Sequence, residues 1–344
     1  MAEKDDQKFM RVALNLAQKA WGLTSPNPMV GAVVVKNGQI VGKGFHKKAG
    51  TPHAEVHALN DAGIDAVGAT VYVTLEPCST YGRTPPCVEA LKQAKVKRVV
   101  AACEDFNPAH AGNGFDILRK AGIEVTVGIC RNEAIELNKA FFSHITRKRP
   151  YVLLKMAMTL DGKIATASGD SKWITGPAAR KRVQKLRRWC DAIMVGGETV
   201  RLDRPGLIVR EPENWPCQPL KYIYTRMDCR AVAAEYFPGD EQIFCVAPQT
   251  AGEWQELLLD MGRKNITSLL LEGGGELAAA AIQNHIVDEV EFHIAPKLLT
   301  GRNSRGVTAG ADPELLAEAF ELDKLQIKRA GSDLIVSGKL HSGK

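Results

Sequence analysis

Long apolar runs are missing from this sequence. No stretch approaches the roughly 20 consecutive apolar residues that a membrane-spanning helix needs. The first residues, Met1-Ala2-Glu3-Lys4-Asp5-Asp6, are charged and have no apolar run behind them, so a secretory leader is not expected. Aromatic residues are scarce at 6%, too few for the aromatic-studded basic groove of a single-stranded nucleic-acid binder. A formal net charge of +6 over 344 residues is modest and suits a phosphorylated small substrate as well as a polyanion. Eight cysteines are an even number, yet in a long chain without a leader they do not read as a disulfide framework. These absences lead us to expect a cytoplasmic protein that binds neither nucleic acid nor membrane. What is present, 45% hydrophobic and 24% charged residues, is the balance of a globular chain. The length predicts two domains rather than one core.

The residues that carry chemistry cluster near the front: His53-Ala54-Glu55, then Glu76-Pro77-Cys78, then Cys87 closing Gly82-Arg83-Thr84-Pro85-Pro86-Cys87. A catalytic zinc takes three nitrogen or sulfur ligands from the protein and keeps a fourth position open. His53, Cys78 and Cys87 make such a set. Glu55, two residues past the histidine, is close enough to shuttle protons without ligating. The pattern is that of zinc-dependent base deaminases, H-x-E followed by P-C-x-x-C, except that residues 79–86 stand where the pattern has two. Taken singly, each cysteine reads as a small buried hydrophobe and the histidine as a surface residue; the flanking Glu and Pro make the set specific. A closed structural zinc module would need a fourth protein ligand, and Glu55 beside a three-ligand set argues against it.

Periodicity predicts a helix from Asp6 to Trp21 and a strand from Val30 to Val35. An Asn37-Gly38 hairpin turn leads to a second strand, Gln39 to Gly44. A helix opens at His53, a strand runs Ala69 to Leu75, and Cys78 and Cys87 fall at helix N-termini, which favour thiolate. Further strands at Arg98–Ala102 and Glu124–Val127 alternate with helices at Phe115–Ala121 and Asn132–Ser143. The order reads as a three-layer α/β domain. Asn27 either holds its own turn or faces the pocket. The basic run Thr146-Arg147-Lys148-Arg149-Pro150 reads as a solvated domain boundary. Beyond it, Leu271-Glu272-Gly273-Gly274-Gly275 ends a strand and opens a helix. Such glycines let backbone N–H groups approach a phosphate, although this is no G-x-G-x-x-G and a plain tight turn would look the same.

The run Tyr72-Val73-Thr74-Leu75-Glu76-Pro77-Cys78-Ser79, closed at Cys87, resembles the deaminase half of the bifunctional riboflavin-biosynthesis deaminase–reductase family, which carries the longer insert. Lys155-Met156-Ala157-Met158-Thr159-Leu160-Asp161-Gly162-Lys163 resembles its reductase half. Ser171 to Thr175, Val195 to Val200 and the triple-glycine stretch agree. The resemblance spans nearly the whole chain. It implies an α/β protein with an N-terminal three-layer cytidine-deaminase-like domain, residues 1–146, and a C-terminal dihydrofolate-reductase-like domain, residues 150–344. It further implies zinc-dependent deamination of a phosphoribosylamino pyrimidine, then NADPH-dependent reduction of the ribosyl chain to ribityl.

By the same resemblance, one Zn2+ sits on His53, Cys78 and Cys87, with Glu55 catalytic. Ala157, Trp173, Thr199, Asp203, Thr225, Gly274, Gly275, Glu276 and Leu277 line the cofactor side of the reductase. Ser171, Arg187, Leu207, Arg210 and Glu272 line the substrate side, with Arg187 and Arg210 as phosphate clamps. Lys155 and Asp203 are candidates for proton work. Arg226, after Thr225, is a candidate partner for the extra phosphate of NADPH. A homo-oligomer is expected. Two positions depart from the family: Thr80 stands where a histidine is usual, and Asp203-Arg204-Pro205 replaces an Asp-Asp-Pro run. The rival reading is a zinc-dependent nucleic-acid base deaminase with an appended binding domain.

Overall fold

The computed structural model describes residues 2–81, 85–107 and 111–341. Gly82, Arg83 and Thr84 of the insert between the two motif cysteines, and Pro108 in the loop after the fourth strand, lie outside the described residues. The chain divides into two units, Met1–Lys148 and Arg149–Lys344. Among the described residues no helix is long and apolar enough to cross a membrane.

The first unit is built on strands β1 (Gly31–Lys36), β2 (Gln39–Phe45), β3 (Thr70–Val73), β4 (Arg98–Ala101) and β5 (Glu124–Val127), in the order β2-β1-β3-β4-β5. Only β1 runs antiparallel to its neighbours β2 and β3; β3, β4 and β5 are parallel. Asn37 and Gly38 both take positive φ, 51° and 76°, the turn that the right-handed twist of a hairpin favours. Its helices are α1 (Ala2–Ala17), α2 (Ala54–Ala62), α3 (Cys87–Gln93), α4 (Asn113–Lys120), α5 (Arg131–Leu137) and α6 (Lys139–Arg147).

Strand residues alternate between the two faces of the sheet. Val33, Val35, Tyr72 and Val100 pack with Met10, Ala13 and Ala17 of α1 and with Leu137 and Phe142. Ala32, Val34, Val71, Val73 and Val99 pack on the other face with Ala58, Leu91, Phe115 and Leu118. Burial on both faces explains why these strands read as continuous apolar runs. Three layers result.

Two local expectations change. The single helix predicted at Asn132–Ser143 is broken at Asn138 (φ −111°, ψ 23°). The Asn138 side chain instead holds the loop before β1, accepting from Met29 N–H at 2.8 Å and donating to Met29 C=O at 2.9 Å. The basic run 146–150 is not simply a solvated linker. Arg149 is buried and forks onto Asp288 at 2.8 and 3.2 Å, because its guanidinium satisfies a carboxylate inside the second unit.

The second unit contains β6 (Tyr151–Thr159), β7 (Lys163–Ala165), α7 (Pro177–Trp189), β8 (Ala192–Gly196), α8 (Gly197–Asp203), β9 (Leu220–Tyr224), α9 (Cys229–Tyr236) and β10 (Ile243–Val246). These are followed by α10 (Ala251–Arg263), β11 (Ser268–Glu272), α11 (Gly275–Gln283), β12 (Glu289–Ala295), β13 (Arg305–Gly306), β14 (Leu322–Ala330) and β15 (Asp333–Leu340). Eight strands form one sheet in the order β10-β9-β8-β11-β6-β12-β15-β14, parallel from β10 to β12 and closed by an antiparallel hairpin. The carboxyl ends of β6, β8, β9 and β11 therefore lie along one edge, where open parallel sheets bind ligands.

Candidate active sites

Two glycines set the position of the first site. A Cβ on Gly44 would lie 2.2 Å from Ala54 O, and one on Gly42 would lie 2.3 Å from Ala58 O. Only glycine lets α2 lie this close against β2. His53 is the extended residue capping α2, and Glu55 is buried in its first turn. Cys87 is the first residue of α3. Cys78 follows β3 in irregular chain rather than opening a helix as predicted. Its sulfur is served by the N-terminus of α3 all the same, since Cys87 N–H donates to Cys78 Sγ at 3.2 Å.

The side chains converge. His53 Nδ1 lies 3.2 Å from Cys87 Sγ and 3.4 Å from Cys78 Sγ, and one ligand atom from each of the three residues falls within 4.8 Å of the others. The Cys87 thiol, hydrogen-bonded to Cys78, holds the Cys78 thiol down at about 4, and contact with Cys78 pushes Cys87 far up. The two sulfurs and the imidazole nitrogen thus lie close enough together for one divalent cation to reach all three. Nitrogen and two sulfurs at these separations suit zinc. Burial, and then the Cys78 charge, pushes the Glu55 carboxyl up to about 7, near the ideal for moving protons at neutral pH.

Sequence reasoning missed His46 here and gave Glu76 no role beyond its place in the motif. His46 stands edge-on to His53 with ring centroids 5.3 Å apart. Its Nδ1 lies 3.3 Å from Pro52 O, and its Nε2 lies 3.4 Å from Asn27 Nδ2. Burial lowers its pKa, so the neutral ring donates to Pro52 and accepts from Asn27. Asn27 therefore holds a turn, its N–H on Thr24 O at 2.8 Å, and also reaches the site's neighbourhood. Glu76 accepts the N–H groups of Asp105, Gly112 and Gly114 at 3.0, 3.0 and 2.9 Å. An acidic residue fixed directly before Pro-Cys was its only signal. Thr80 is exposed.

In the second unit the predicted residues fall into three groups. Thr199, Gly273 and Gly274 meet at the ends of β8 and β11, where a Cβ on Gly274 would lie 3.3 Å from Thr199 Oγ1. Thr225 joins them, 2.9 Å from a Cβ built on Gly197. Gly273 and Gly274 take φ of 77° and 86°, and Gly275 opens α11. The first N–H groups of a helix point outward, so this cradle suits a phosphate. Glu276 is exposed, whereas Leu277 is in the core and can offer only backbone.

Lys155, Glu272 and Arg187 form the second group. Glu272 pairs in register with Lys155 across β11 and β6. Arg187 grips Glu272 through Nε at 2.8 Å and Nη2 at 2.7 Å, and its Nη1 donates to Ile208 O at 3.2 Å. The predicted phosphate clamp is thus already engaged with a carboxylate. Burial pushes the Lys155 ammonium pKa down, with Glu272 opposing. In the third group, Ser171 Oγ donates to Asp203 Oδ1 at 2.9 Å and Lys172 Nζ donates to Asp203 O at 2.8 Å. Residues predicted on the substrate and cofactor sides are here in contact.

The remaining predicted residues are more scattered. Trp173 is exposed, with the Arg180 guanidinium 4.8 Å above its ring. Leu207 is buried at φ 49°. Arg210 is exposed, its N–H on Gln184 Oε1 at 2.7 Å. Arg204 stacks on Tyr236 at 5.5 Å. Ala157 lies half-buried on β6, two residues past Lys155 and so on the same face.

Comparison with known proteins agrees with this layout. The family model for the cytidine and deoxycytidylate deaminase zinc-binding region matches residues 3–103, and that for the RibD C-terminal domain matches residues 150–336. Riboflavin biosynthesis protein RibD of Actinobacillus pleuropneumoniae is 42% identical over 356 residues, covering 96% of this chain and 94% of its own. The Escherichia coli protein of the same name is 41% identical over 361 residues, covering 96% and 98%. The solved structure of Acinetobacter baumannii RibD aligns at a TM-score of 0.88 and 40% identity over 98% of this chain and 99% of that one. A Thermotoga maritima diaminohydroxyphosphoribosylaminopyrimidine deaminase/5-amino-6-(5-phosphoribosylamino)uracil reductase aligns at 0.87 and 32% over 99% and 100%. The first unit has the cytidine-deaminase-like fold and the second the dihydrofolate-reductase-like fold, and the chain belongs to the RibD family of bifunctional riboflavin-biosynthesis deaminase–reductases.

Proposed function

We propose that residues 1–146 deaminate 2,5-diamino-6-(5-phosphoribosylamino)pyrimidin-4-one and that residues 150–344 then reduce the ribosyl chain to ribityl with NADPH. The observation that carries the reading is the convergence of His53, Cys78 and Cys87 beside the buried Glu55. Zinc held by those three residues would supply Lewis acidity that ionises water at neutral pH. Glu55, with its carboxyl near 7, takes one proton from the attacking water and gives it to the ring nitrogen. It then takes the second from the hydroxyl newly bonded to the ring carbon and gives it to the amino group, which leaves as ammonia while the C=O forms. Asn27, backed by His46, faces the pyrimidine edge.

In the second unit NADPH supplies the hydride, and the protein's part is orientation. Gly273 to Leu277 offer backbone N–H groups to the cofactor phosphates, with Thr199 and Thr225 alongside. Lys155 holds the proton that balances the hydride. Ser171, Glu272 and the exposed Arg210 bind the substrate, and Arg187 keeps Glu272 in place. Asp203 anchors Ser171.

We also infer a cytoplasmic homo-oligomer. Strand β14 ends the sheet with Leu325 and Ile327 exposed, an edge that proteins normally cover. Light scattering should therefore report more than one chain per particle.

Supplying the diamino substrate and following ammonia release, then NADPH oxidation, tests the whole reading. A zinc chelator should stop the first step and leave reduction of pre-deaminated substrate intact. Ammonia release that survives complete zinc removal would overturn the assignment.

A further inference from the structure

Helix α7 turns two arginines onto the face of the eight-stranded sheet. Arg187 grips Glu272 on β11. Five residues earlier, Arg182 grips Glu291 on β12, Nε at 3.1 Å from Oε1 and Nη2 at 2.6 Å from Oε2. Strand β6 runs between β11 and β12, and the register pairs Lys155 with both Glu272 and Glu291. Paired residues of parallel strands share a face, so the lysine lies between two carboxylates, each forked by its own arginine. Behind Glu291 stands His293, fully buried, with Nε2 2.7 Å from Glu291 Oε1 and Nδ1 without a partner among the described residues. Neither Glu291 nor His293 belongs to any motif in the sequence.

We propose that Glu291, clasped by Arg182 and His293, is a positioning residue that holds the Lys155 ammonium at the reductase site. This rests on the reading of Lys155 as the reductase proton carrier. The row contains three cations, Arg182, Lys155 and Arg187, against two carboxylates. Lys155 is the cation without a carboxylate fork of its own, so its charge depends on how far each arginine offsets its carboxylate. His293 adds a hydrogen bond rather than a charge, because burial lowers its pKa and the neutral ring donates Nε2–H to Glu291. Farther out, Lys185 of α7 lies in the positive field of Arg182, of Arg188 and of Lys328 of β14. Glu291 therefore counts for more at Lys155 than a lone surface carboxylate would.

The arrangement makes a prediction of opposite signs. Glu291→Gln removes a negative neighbour and should lower the Lys155 midpoint by about one pH unit. Arg182→Gln removes a positive neighbour and should raise it. Together the two changes should nearly cancel, and Glu291→Asp should restore most of the wild-type value. Competitive acetylation of full-length protein with acetic anhydride across pH, read on the Lys155 peptide by mass spectrometry, measures the midpoint without any turnover. The alkaline limb of NADPH oxidation should move with it, in kcat more than in KM.

Should Glu291→Gln fail to fold, Arg182→Gln and the double variant, in which neither partner is left uncompensated, still give the signs. An unmoved midpoint, or shifts of the same sign in both single variants, would overturn the proposal. Coupled midpoints in a protein that does not oxidise NADPH would instead retire the reductase reading and leave the coupling standing.

Discussion

Replacing Gly44 by alanine should empty the zinc site while sparing reduction. The added Cβ would sit 2.2 Å from Ala54 O and 2.5 Å from Ala58 N, so the nearer contact falls 0.8 Å short of the 3.0 Å below which real Cβ atoms are essentially never found. Both obstacles are backbone, so no side chain can swing away. Gly44 is tied to Ala32 in the β1–β2 ladder, and the first turn of α2 must therefore yield. That turn carries His53 at its cap and Glu55 inside it. Zinc sites keep ligand distances within about 0.2 Å, so a shift near 0.8 Å is several times what the ligand set tolerates. Misplacement of this size costs about a hundredfold in rate, and forced packing costs about 1–3 kcal/mol of stability. Metal content per chain and ammonia release should both collapse, while NADPH oxidation with pre-deaminated substrate continues. A Gly44→Ala protein that keeps one zinc per chain and wild-type deamination would refute the argument that this close packing places the ligand.

Other outcomes follow from the same geometry. Glu55→Gln should retain zinc and lose deamination, whereas Cys87→Ala should lose both; metal analysis of the two variants separates proton shuttle from ligand. Arg226 reaches Gln249 at the ends of β9 and β10, and Arg226→Ala should weaken NADPH binding at least about tenfold while barely changing NADH binding, as titration calorimetry would show. Burial works against the Asp6 charge, but hydrogen bonds from Arg98 at 3.0 and 2.8 Å and from Tyr72 at 2.7 Å outweigh it and lower the carboxyl below 3.8. Its contribution to stability is then full above pH 3.8 and lost as pH falls through the lower folded-state value. Acid unfolding of Asp6→Asn should accordingly show a shallower dependence in that range.

Much of the deaminase half was legible because its chemistry sits in short motifs at element ends. His53, Glu55, Cys78 and Cys87 were identifiable by type and spacing, and the apolar runs Val30 to Val35 and Ala69 to Leu75 announced strands, which the structure packs on both faces. Asn37-Gly38 announced its own turn because few other residues tolerate its backbone. These are local properties: which φ a residue accepts, which atoms it can offer a metal, which period its apolar neighbours keep.

What the tertiary structure decided concerns partners far apart in the chain. Asn138 breaks a helix that its neighbours would have continued, because Met29 offers it two backbone hydrogen bonds. Arg149 looked like solvated linker until Asp288 was placed beside it, and Arg187 looked like a phosphate clamp until Glu272 took its fork. The row from Glu272 through Lys155 to Glu291 exists only because β6 lies between two strands that follow it by more than a hundred residues. A charged side chain reveals in sequence that it needs a counter-charge or water; which one it receives is set by sheet order and register, and those emerge only when the chain closes on itself.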